Sequence, residues 1–389
     1  MIDFEPSEEQ KAAVKMAHEF ALNEMRPVAL ECDKTGEIPD ELIKKAAAAG
    51  LTAMAIPEEY GGGGLDQVSA AMVSEELFWG CAGIATAIGA NSLATTPMLI
   101  AGNEEQKHKY LPRLADPDNP KFAAFCLTEP GAGSDAAAIS TTIVEEGDHY
   151  VLNGQKCFIT NGGLADFYTV FCTFDKEKKY GGIAAVIVER AFEGVSIGKH
   201  EDKMGIRASN TTEVIFDNVK VPKENLLVPM GQGFYNVMVT LDMTRASVAA
   251  GAVGIARAAF EEALKYAKER VQFGRPLIAH QAINFMLADM AMQIEAGRRL
   301  YLLAAWKAYK LQPCSLESSY AKAFCGDMAM RVTTDAVQIH GGYGYMKEYL
   351  VEKLMRDAKI MQIYEGTNQI QRVIIGANLM GVTDTFPWG

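Results

Sequence analysis

The chain changes character at the segment Leu127-Thr128-Glu129-Pro130-Gly131-Ala132-Gly133-Ser134-Asp135. Hydrophobic residues before it recur at helical spacing, and those after it alternate with a period of two, which predicts β-strands. Gly131 and Gly133 allow the backbone to approach a ligand closely. The hydroxyls of Thr128 and Ser134 can bind a polar ring or a carbonyl. The segment lacks the third glycine of a dinucleotide-binding fingerprint, so it predicts either a ligand-binding loop or a surface turn.

Hydrophobic periodicity on either side of this segment divides the chain into three regions. The regions are residues 1–120, 121–235 and 236–389. Helical spacing dominates the first and last regions, whereas the strand candidates of the middle region follow one another through short loops. Short loops leave no room for helical crossovers, so the sheet is predicted to be largely antiparallel. The fold class is therefore α+β, with an N-terminal helical domain, a middle antiparallel β domain and a C-terminal helical bundle.

Local signals predict the individual elements. Ser7 and Gln10 have the spacing of a capping box, and Asn153-Gly154 between two apolar triplets predicts the turn of a β-hairpin. Further helices are predicted over about 40–49, 67–80, 84–101, 104–110, 241–270, 280–310 and 317–337. Further strands are predicted over 167–174, 182–188 and 212–221.

The composition is that of a globular protein with an acidic balance. The 389 residues carry a formal net charge of −12, which argues against nucleic-acid binding. The seven cysteines are scattered and never spaced as C-x-x-C, so we predict neither a disulfide framework nor a metal site. We find no signal peptide and no apolar stretch long enough for membrane insertion. These features predict a cytoplasmic protein of a bacterium, although a mitochondrial matrix protein without its presequence would share them.

Two further segments combine glycine with charged or aromatic residues. The first, Arg270-Val271-Gln272-Phe273-Gly274-Arg275-Pro276, lies between two helices, and its arginines suit a pyrophosphate. The alternative is a cationic helix end capped by Gly274. The second, Gln338-Ile339-His340-Gly341-Gly342, either cradles a phosphate or simply ends an apolar helix. His340 in this segment is assigned no catalytic role.

Glu365 is the candidate general base. It lies within Gln362-Ile363-Tyr364-Glu365-Gly366-Thr367-Asn368-Gln369, before another apolar periodic run. A glutamate among apolar groups has a raised pKa, which suits proton abstraction near neutral pH. The alternative is a glutamate in the first turn of a helix, where the helix dipole favours a negative charge.

Together, in this order and at these separations, the four segments resemble the acyl-CoA dehydrogenase family. The resemblance extends from the helix after Ser7 to about Val382, and residues 383–389 lie outside the shared pattern. It is closest to the medium- and short-chain enzymes, through Asn91-Ser92-Leu93, Asp242-Met243-Thr244-Arg245 and the Glu365 segment. The resemblance implies a C-terminal four-helix bundle and a homotetramer built as a dimer of dimers. It also implies that FAD lies partly across a subunit interface.

The resemblance implies a role for each site residue. The residues implied to bind FAD are Phe125, Leu127, Thr128, Gly133, Ser134, Phe158, Ile159, Thr160, Arg270, Phe273, Gln281, Gln338, Ile339, Gly341, Gly342, Thr367, Asn368 and Gln369. The residues implied to bind the acyl-CoA substrate are Ser134, Asp242, Thr244, Arg245, Tyr364 and Gly366. Glu365 is the implied catalytic base, and the backbone N–H at its position is implied to bind the thioester carbonyl.

The activity implied is the FAD-dependent α,β-dehydrogenation of an acyl-CoA to the 2-enoyl-CoA, as in fatty acid β-oxidation. Glu365 takes the α-proton, N5 of FAD accepts the hydride, and the electrons pass to an electron-transferring flavoprotein. Isovaleryl and long-chain relatives carry the glutamate near the Asp242 segment, where this chain has Thr244, so those two specificities are disfavoured. Small residues such as Gly89 and Ala90 leave room for a linear, a branched or an alicyclic acyl group, and we expect a group of short to medium length.

Four alternatives accompany this interpretation. An enoyl-CoA reductase component of a flavoprotein complex would have the same sequence features. Acyl-CoA oxidases of this family are usually much longer than 389 residues. A nitroalkane-oxidase-like flavoprotein uses aspartate as its base. A non-catalytic flavin-binding scaffold would be expected to have lost the base or the glycine-rich loops, and both are present here.

Overall fold

The structure, a computed structural model, describes residues 5–381, so the segment 383–389 lies outside the described part of the chain. The N-terminal helices are α1 (Glu8–Phe20), α2 (Ala29–Thr35), α3 (Asp40–Ala48), α4 (Gln67–Gly80), α5 (Ala82–Ala101), α6 (Glu104–Tyr110) and α7 (Pro112–Ala115). The capping box is confirmed, since the Gln10 N–H donates to Ser7 Oγ at 3.2 Å and the Ser7 N–H donates to Gln10 Oε1 at 3.0 Å. The sequence pattern did not predict α2, which follows directly on irregular helical turns over Ala21–Val28.

The middle of the chain forms one twisted sheet of eight strands. The strands are β1 (Phe122–Cys126), β2 (Thr142–Glu146), β3 (His149–Thr160), β4 (Ala165–Thr173), β5 (Ile183–Glu189), β6 (Val195–His200), β7 (Thr211–Pro222) and β8 (Leu226–Val228). They are ordered β6-β7-β3-β2-β4-β5-β8, and β1 pairs with β4. All pairings are antiparallel except those that β1 and β2 make with β4, so the largely antiparallel sheet is confirmed.

The hairpin predicted at Asn153-Gly154 is wrong. Both residues lie inside the continuous strand β3, at an irregularity in its register with β7. Gly154 is needed there because a Cβ would lie 2.4 Å from the Thr141 hydroxyl. Asn153 binds across the sheet instead of turning the chain, since its Oδ1 accepts the Asn218 N–H at 2.7 Å. The true turn, between β2 and β3, contains Gly147 at φ +60°.

The C-terminal region is a helical bundle. Its elements are α8 (Gly233–Glu269), the short strands β9 (Val271–Gln272) and β10 (Arg275–Pro276), α9 (Gln281–Tyr309), α10 (Ser315–His340), α11 (Leu350–Ala358) and α12 (Asn368–Leu379). The helices α8, α9 and α10 pack along one another, and α11 and α12 both pack on α10. α8 also packs against α4, which joins the bundle to the N-terminal helices in one core.

Helix α5 joins all three regions, because it packs on α4, α8 and β1. The Ala123 N–H donates to Asn91 Oδ1 at 2.9 Å, and the Thr169 hydroxyl donates to the Ala94 carbonyl at 2.8 Å. Contrary to the expectation from sequence, α5 is long and apolar enough to cross a membrane by length and composition. Most of it is buried inside the protein, however, and its uniform apolar character is that of a core helix.

Candidate active site

Glu365 lies on a strained turn that leads into α12. Glu365 and Gly366 both have positive φ, at +50° and +88°. Thr367 then caps α12, since its hydroxyl accepts the Ile370 N–H at 3.1 Å. Glu365 therefore precedes the cap, and the alternative of a glutamate in the first turn of a helix is wrong. A non-glycine residue with positive φ is strained, and such strain concentrates at functional sites.

The Glu365 carboxylate faces α8. Its Oε2 accepts a hydrogen bond from the Thr244 hydroxyl at 2.7 Å. Burial raises the pKa of Glu365, whereas the Thr244 hydrogen bond and the charges of Arg245 and Lys322 lower it, and the net shift is upward. A carboxylate with a raised pKa binds a proton more readily than an exposed glutamate does, as a general base near neutral pH requires.

The backbone of the turn presents free donors beside this carboxylate. Over residues 5–381, neither the Glu365 N–H nor the Gly366 N–H has a hydrogen-bond acceptor. Both carbonyls of the turn are occupied from the bundle side. Arg245 Nε and Gln371 Nε2 each lie 3.4 Å from the Glu365 carbonyl, and Lys322 Nζ lies 2.6 Å from that of Gly366. The turn therefore offers a donor and a carboxylate on the same residue.

The predicted substrate residues beside Glu365 form a connected group. Arg245 Nη1 binds Asp242 Oδ1 at 2.5 Å, and Arg245 is almost fully buried. The Tyr364 hydroxyl contacts the Met361 sulfur at 3.2 Å, and burial raises the pKa of this hydroxyl. Asn368, which the resemblance assigns to FAD, points into the bundle, where its side chain binds Lys322 and Asp327. Asn368 therefore supports the turn from behind.

The glycine-rich segment after β1 is anchored to β3 by a buried ion pair. Lys156 Nζ lies 2.7 Å from Glu129 Oε1 and 3.0 Å from the Leu127 carbonyl. Backbone N–H groups of Ser140 and Thr141 also donate to the Glu129 carboxylate, at 2.6 and 2.9 Å. These partners outweigh burial and lower the pKa of Glu129 to about 2. Nothing in the sequence alone marks these two residues as a pair.

Anchored in this way, the segment presents an open surface beside an exposed aromatic ring. A Cβ added to Gly131 or Gly133 would meet no atom within 4 Å. The Cys157 N–H donates to the Thr128 carbonyl at 3.0 Å, which places Phe158 next to this segment. Phe158 has φ +57° and is 64% exposed, an unusual position for a large apolar side chain. Its neighbour Ile159 is buried in the core of the sheet.

A second open surface lies at the junction of α8, α9 and α10. The strands β9 and β10 form a two-residue hairpin with Phe273 and Gly274 at its tip, both with positive φ. Phe273 is 95% exposed, so the segment is a projecting hairpin and not merely a capped helix end. A cleft of about 450 Å³ adjoins the hairpin. Its lining includes Arg270, Gln272, Ile339, His340, Gly341 and Gly342.

The side chain of His340, in this cleft, is held in place by its neighbours. Its ring stacks on that of Tyr266, with centroids 4.3 Å apart, and Nδ1 donates to the Ala336 carbonyl at 2.8 Å. Burial lowers the pKa of His340. Neither the carboxylate of Glu365 nor the Thr128 segment lines this cleft.

The strand that leads into the glycine-rich segment packs against α8. Phe125 and Leu127 lie in the same hydrophobic cluster as Leu241, one residue before Asp242. The predicted residues thus form three groups: Glu365 with Thr244, the Thr128 segment with Phe158, and the Arg270 hairpin with the Gly341 turn. Gln281 is exposed at the start of α9, beside the second surface.

Known proteins of the acyl-CoA dehydrogenase family match this chain over nearly its whole length. The N-terminal, middle and C-terminal domains of acyl-CoA dehydrogenase match residues 7–118, 124–219 and 231–380. Butyryl-CoA dehydrogenase from Megasphaera elsdenii has a similar structure, with a TM-score of 0.94 and 47% identity, covering 97% of this chain and 100% of that one. The 3-(aryl)acrylate reductase of Clostridium sporogenes is 45% identical, covering 96% of this chain and 99% of that protein.

Two further solved structures that are similar to this chain contain an electron transferring flavoprotein and FAD, respectively. A chain from the structure of the electron transferring flavoprotein of Acidaminococcus fermentans has a TM-score of 0.95 and 48% identity, covering 97% of this chain and 100% of that one. The acyl-CoA dehydrogenase complexed with FAD from Bacillus anthracis has a TM-score of 0.89 and 36% identity, covering 98% of this chain and 68% of that one.

Relatives that match over nearly the whole chain are acyl-CoA dehydrogenases, so this protein is an oxidoreductase, and the predicted three-domain fold is confirmed. The chain belongs to the acyl-CoA dehydrogenase family.

Proposed function

We propose that this protein converts an acyl-CoA thioester to its 2-enoyl-CoA, with Glu365 as the base that removes the α-proton. The observation that carries the proposal is the Glu365 turn, which places a carboxylate with a raised pKa beside a free backbone N–H. When bound, FAD accepts the β-hydrogen as a hydride. The α-proton moves to the Glu365 carboxylate, so the acyl group loses two electrons and two hydrogens in total.

The chemistry requires both parts of the turn. A proton α to a thioester is a weak acid, and a carboxylate is a weak base. The Glu365 N–H can donate to the thioester carbonyl, where negative charge develops as the proton leaves. Exclusion of water by the bound substrate raises the proton affinity of the carboxylate further and strengthens that hydrogen bond.

The open surfaces of the chain fit FAD. The exposed ring of Phe158 and the Thr128 segment offer an aromatic face, a hydroxyl and open glycines to the isoalloxazine. The Arg270 hairpin and the cleft beside Gly341 offer a cationic, glycine-lined site to the pyrophosphate and adenosine. Because the second surface is separate from the first, we propose that it serves the cofactor of a neighbouring subunit in a homotetramer.

The outer face of α9 supports association of subunits. It exposes large apolar side chains at helical spacing, namely Phe285, Met292, Leu303 and Trp306. Subunit contact would cover this stripe.

The similarity to a chain in the Acidaminococcus fermentans structure supports an electron-transferring flavoprotein as the electron acceptor. The bacterial relatives and the buried free cysteines support a cytoplasmic location.

The decisive experiment is anaerobic titration of the purified flavoprotein with butyryl-CoA. We expect bleaching of the oxidised-flavin absorption and formation of crotonyl-CoA, which chromatography measures. A panel of CoA thioesters differing in length, branching and ring structure then defines the acyl preference. A protein without bound flavin, or one whose flavin no thioester reduces, would contradict the proposal.

The reverse reaction is the second candidate function. It is favoured by the similarity to the Clostridium sporogenes 3-(aryl)acrylate reductase. The same residues would then deliver a proton from Glu365 to the α carbon while a hydride enters at the β carbon. Incubating the dithionite-reduced protein with crotonyl-CoA and with aryl-substituted enoyl-CoA thioesters compares the rates of the two directions.

The rate of flavin reduction should fall at low pH, because the reaction requires an ionised Glu365. The midpoint should lie above the ordinary glutamate pKa of 4.5, since burial raises it. Thr244→Val removes a hydrogen bond to the ionised form and should move the midpoint upward by about 1 pH unit. Stopped-flow flavin reduction across pH measures this shift. Thr240→Val is the matched control, because the buried Thr240 hydroxyl lies one turn away on α8 and has no partner over residues 5–381.

Gly133→Val tests the flavin surface. No atom lies within 4 Å of a Cβ at this position, and its φ is not in the left-handed region. The fold should therefore be retained, while the added side chain occupies the space proposed for the isoalloxazine. We expect flavin content to fall at least about tenfold, with unchanged circular dichroism. Gly181→Val, at a position with only ordinary contacts, should keep its flavin. Full flavin occupancy in the Gly133 variant would place the cofactor elsewhere.

A further inference from the structure

Lys322 is a buried cation directly behind the catalytic turn. It lies on α10 and is only 1% exposed. Its Nζ donates to the Gly366 carbonyl at 2.6 Å and to Asn368 Oδ1 at 3.1 Å. A lysine this buried is uncommon, because removing an ammonium group from water is costly unless its partners compensate. Its two acceptors both belong to the segment that carries Glu365.

We propose that Lys322 is a positioning residue that fixes the Glu365–Gly366 turn and places a positive charge behind the Glu365 carboxylate. The inference rests on the proposed function of Glu365 as the base. It extends that function to a residue that touches neither the reacting carboxylate nor an open surface.

The first part of the role is mechanical. Glu365 and Gly366 are consecutive residues with positive φ, a backbone conformation that is unfavourable for glutamate. Such a turn persists only when its surroundings hold it in place. Lys322 binds the Gly366 carbonyl from α10, while Gln371 binds the same carbonyl at 3.1 Å from α12. The ammonium makes the shorter of the two bonds, and a charged donor makes the stronger hydrogen bond.

The second part of the role is electrostatic. The charged groups that face Lys322 are Glu365 on the turn, Arg245 on α8 and Asp327 on its own helix. Burial lowers the pKa of Lys322 to about 7, and Glu365 and Asp327 oppose that shift. Lys322 is therefore charged at acidic pH, where protonation of Glu365 would stop the reaction. In turn, the Lys322 charge lowers the pKa of Glu365 and so extends the active range toward lower pH.

The test compares stopped-flow flavin reduction by butyryl-CoA in wild type, Lys322→Met, Lys322→Gln and Lys322→Arg. The neutral variants lose the charge, so the midpoint of their acidic limb should rise by about 0.5 pH unit or more, but no further than in Thr244→Val. Their limiting rate should fall at least about tenfold, because the base is no longer held in its reactive position. Lys322→Arg keeps a charged donor, so its midpoint should stay within about 0.3 pH unit of wild type. Flavin content and thermal unfolding establish that each variant is folded.

Arg372→Gln is the matched control. Arg372 anchors the same helix by donating to the Asn368 carbonyl at 3.0 Å, and it pairs with Asp327 at 2.7 Å. It contacts neither Glu365 nor Gly366, so its loss should leave the acidic limb in place. A residue with a purely structural role would behave like Arg372.

Three results would overturn the proposal. The first is a folded neutral variant whose acidic limb coincides with that of wild type. The second is a shift in Arg372→Gln as large as that in Lys322→Met. The third is loss of folding in all three Lys322 variants, which would assign the residue to stability alone. Failure of the proposed function is distinguishable, because wild-type flavin would then not be reduced by any thioester.

Discussion

Glu365→Gln should retain bound flavin and lose flavin reduction by acyl-CoA by at least about 10³-fold, the range associated with general-base catalysis. The amide has the shape of the carboxylate and can still accept the hydrogen bond that Thr244 donates at 2.7 Å. The turn should therefore stay in place, and only the ability to take a proton is removed. Single-turnover stopped-flow absorbance measures the loss directly.

The control for this variant is Glu348→Gln, the same chemical change at an exposed position after the Gly341 turn. It should reduce its flavin at the wild-type rate. Glu365→Asp adds a second comparison, since it keeps a carboxylate but withdraws it from the substrate by one methylene. Near-normal flavin reduction in Glu365→Gln would show that another group removes the α-proton.

Glu129→Gln should be the most destabilising single change in the β domain. The Glu129–Lys156 pair is almost fully buried, with side chains 2% and 0% exposed. Removing one charge leaves Lys156 buried without a counterion, which costs about 3–5 kcal/mol. Denaturant unfolding followed by circular dichroism measures this loss. Because the pair anchors the Thr128 segment, the variant should also bind flavin more weakly.

The surface pair of the same sheet supplies the control. Lys223 lies 2.6 Å from Glu145, but both side chains are largely exposed. Glu145→Gln should therefore cost less than about 1 kcal/mol. A loss in Glu129→Gln as small as that in Glu145→Gln would show that water reaches the Glu129–Lys156 pair.

The same pair determines part of the acid stability. The pKa of Glu129 is about 2 in the folded protein, below the ordinary value of 4.5. A lowered carboxylate pKa stabilises the fold above the unfolded-state value, and this contribution is lost as the pH falls from about 4.5 toward 2. The free energy of unfolding of wild type should therefore decline in this window, whereas that of Glu129→Gln should change less.

Much of the fold follows from periodicity that is local in the chain. The capping box at Ser7 and the long helices were predicted because a few neighbouring residues specify them. The Asn153-Gly154 hairpin was wrong for the complementary reason. The dipeptide favours a tight turn, but β7 pairs with both halves of β3 and keeps the strand continuous. No residue near Asn153 in the sequence reports the presence of β7, so pairing between distant strands overrides the local preference.

Those parts of the site that lie in segments rich in glycine and charged residues could be predicted from the sequence. Glu365, Thr128 and the Arg270 segment stand out by composition, and their separations carry the family resemblance. Their supports do not stand out. Lys156 and Glu129 are 27 residues apart, and Lys322 is 44 residues from Gly366. Each support is an ordinary lysine or glutamate in sequence, and only burial in the fold distinguishes it from a surface charge.

Helix α5 shows how burial against several parts of the protein affects the composition of a helix. One helix touches the Ala123 backbone, the β4 strand and the bundle, so most of its surface meets protein. The apolar composition of α5 therefore reflects burial against protein on several sides, whereas that of a transmembrane helix reflects contact with lipid. A tilt of α5 would disturb its interfaces with α4, α8 and β1 at once, whereas the exchange of a small side chain on its half-buried face, at Gly89 or Ala90, would disturb none of them.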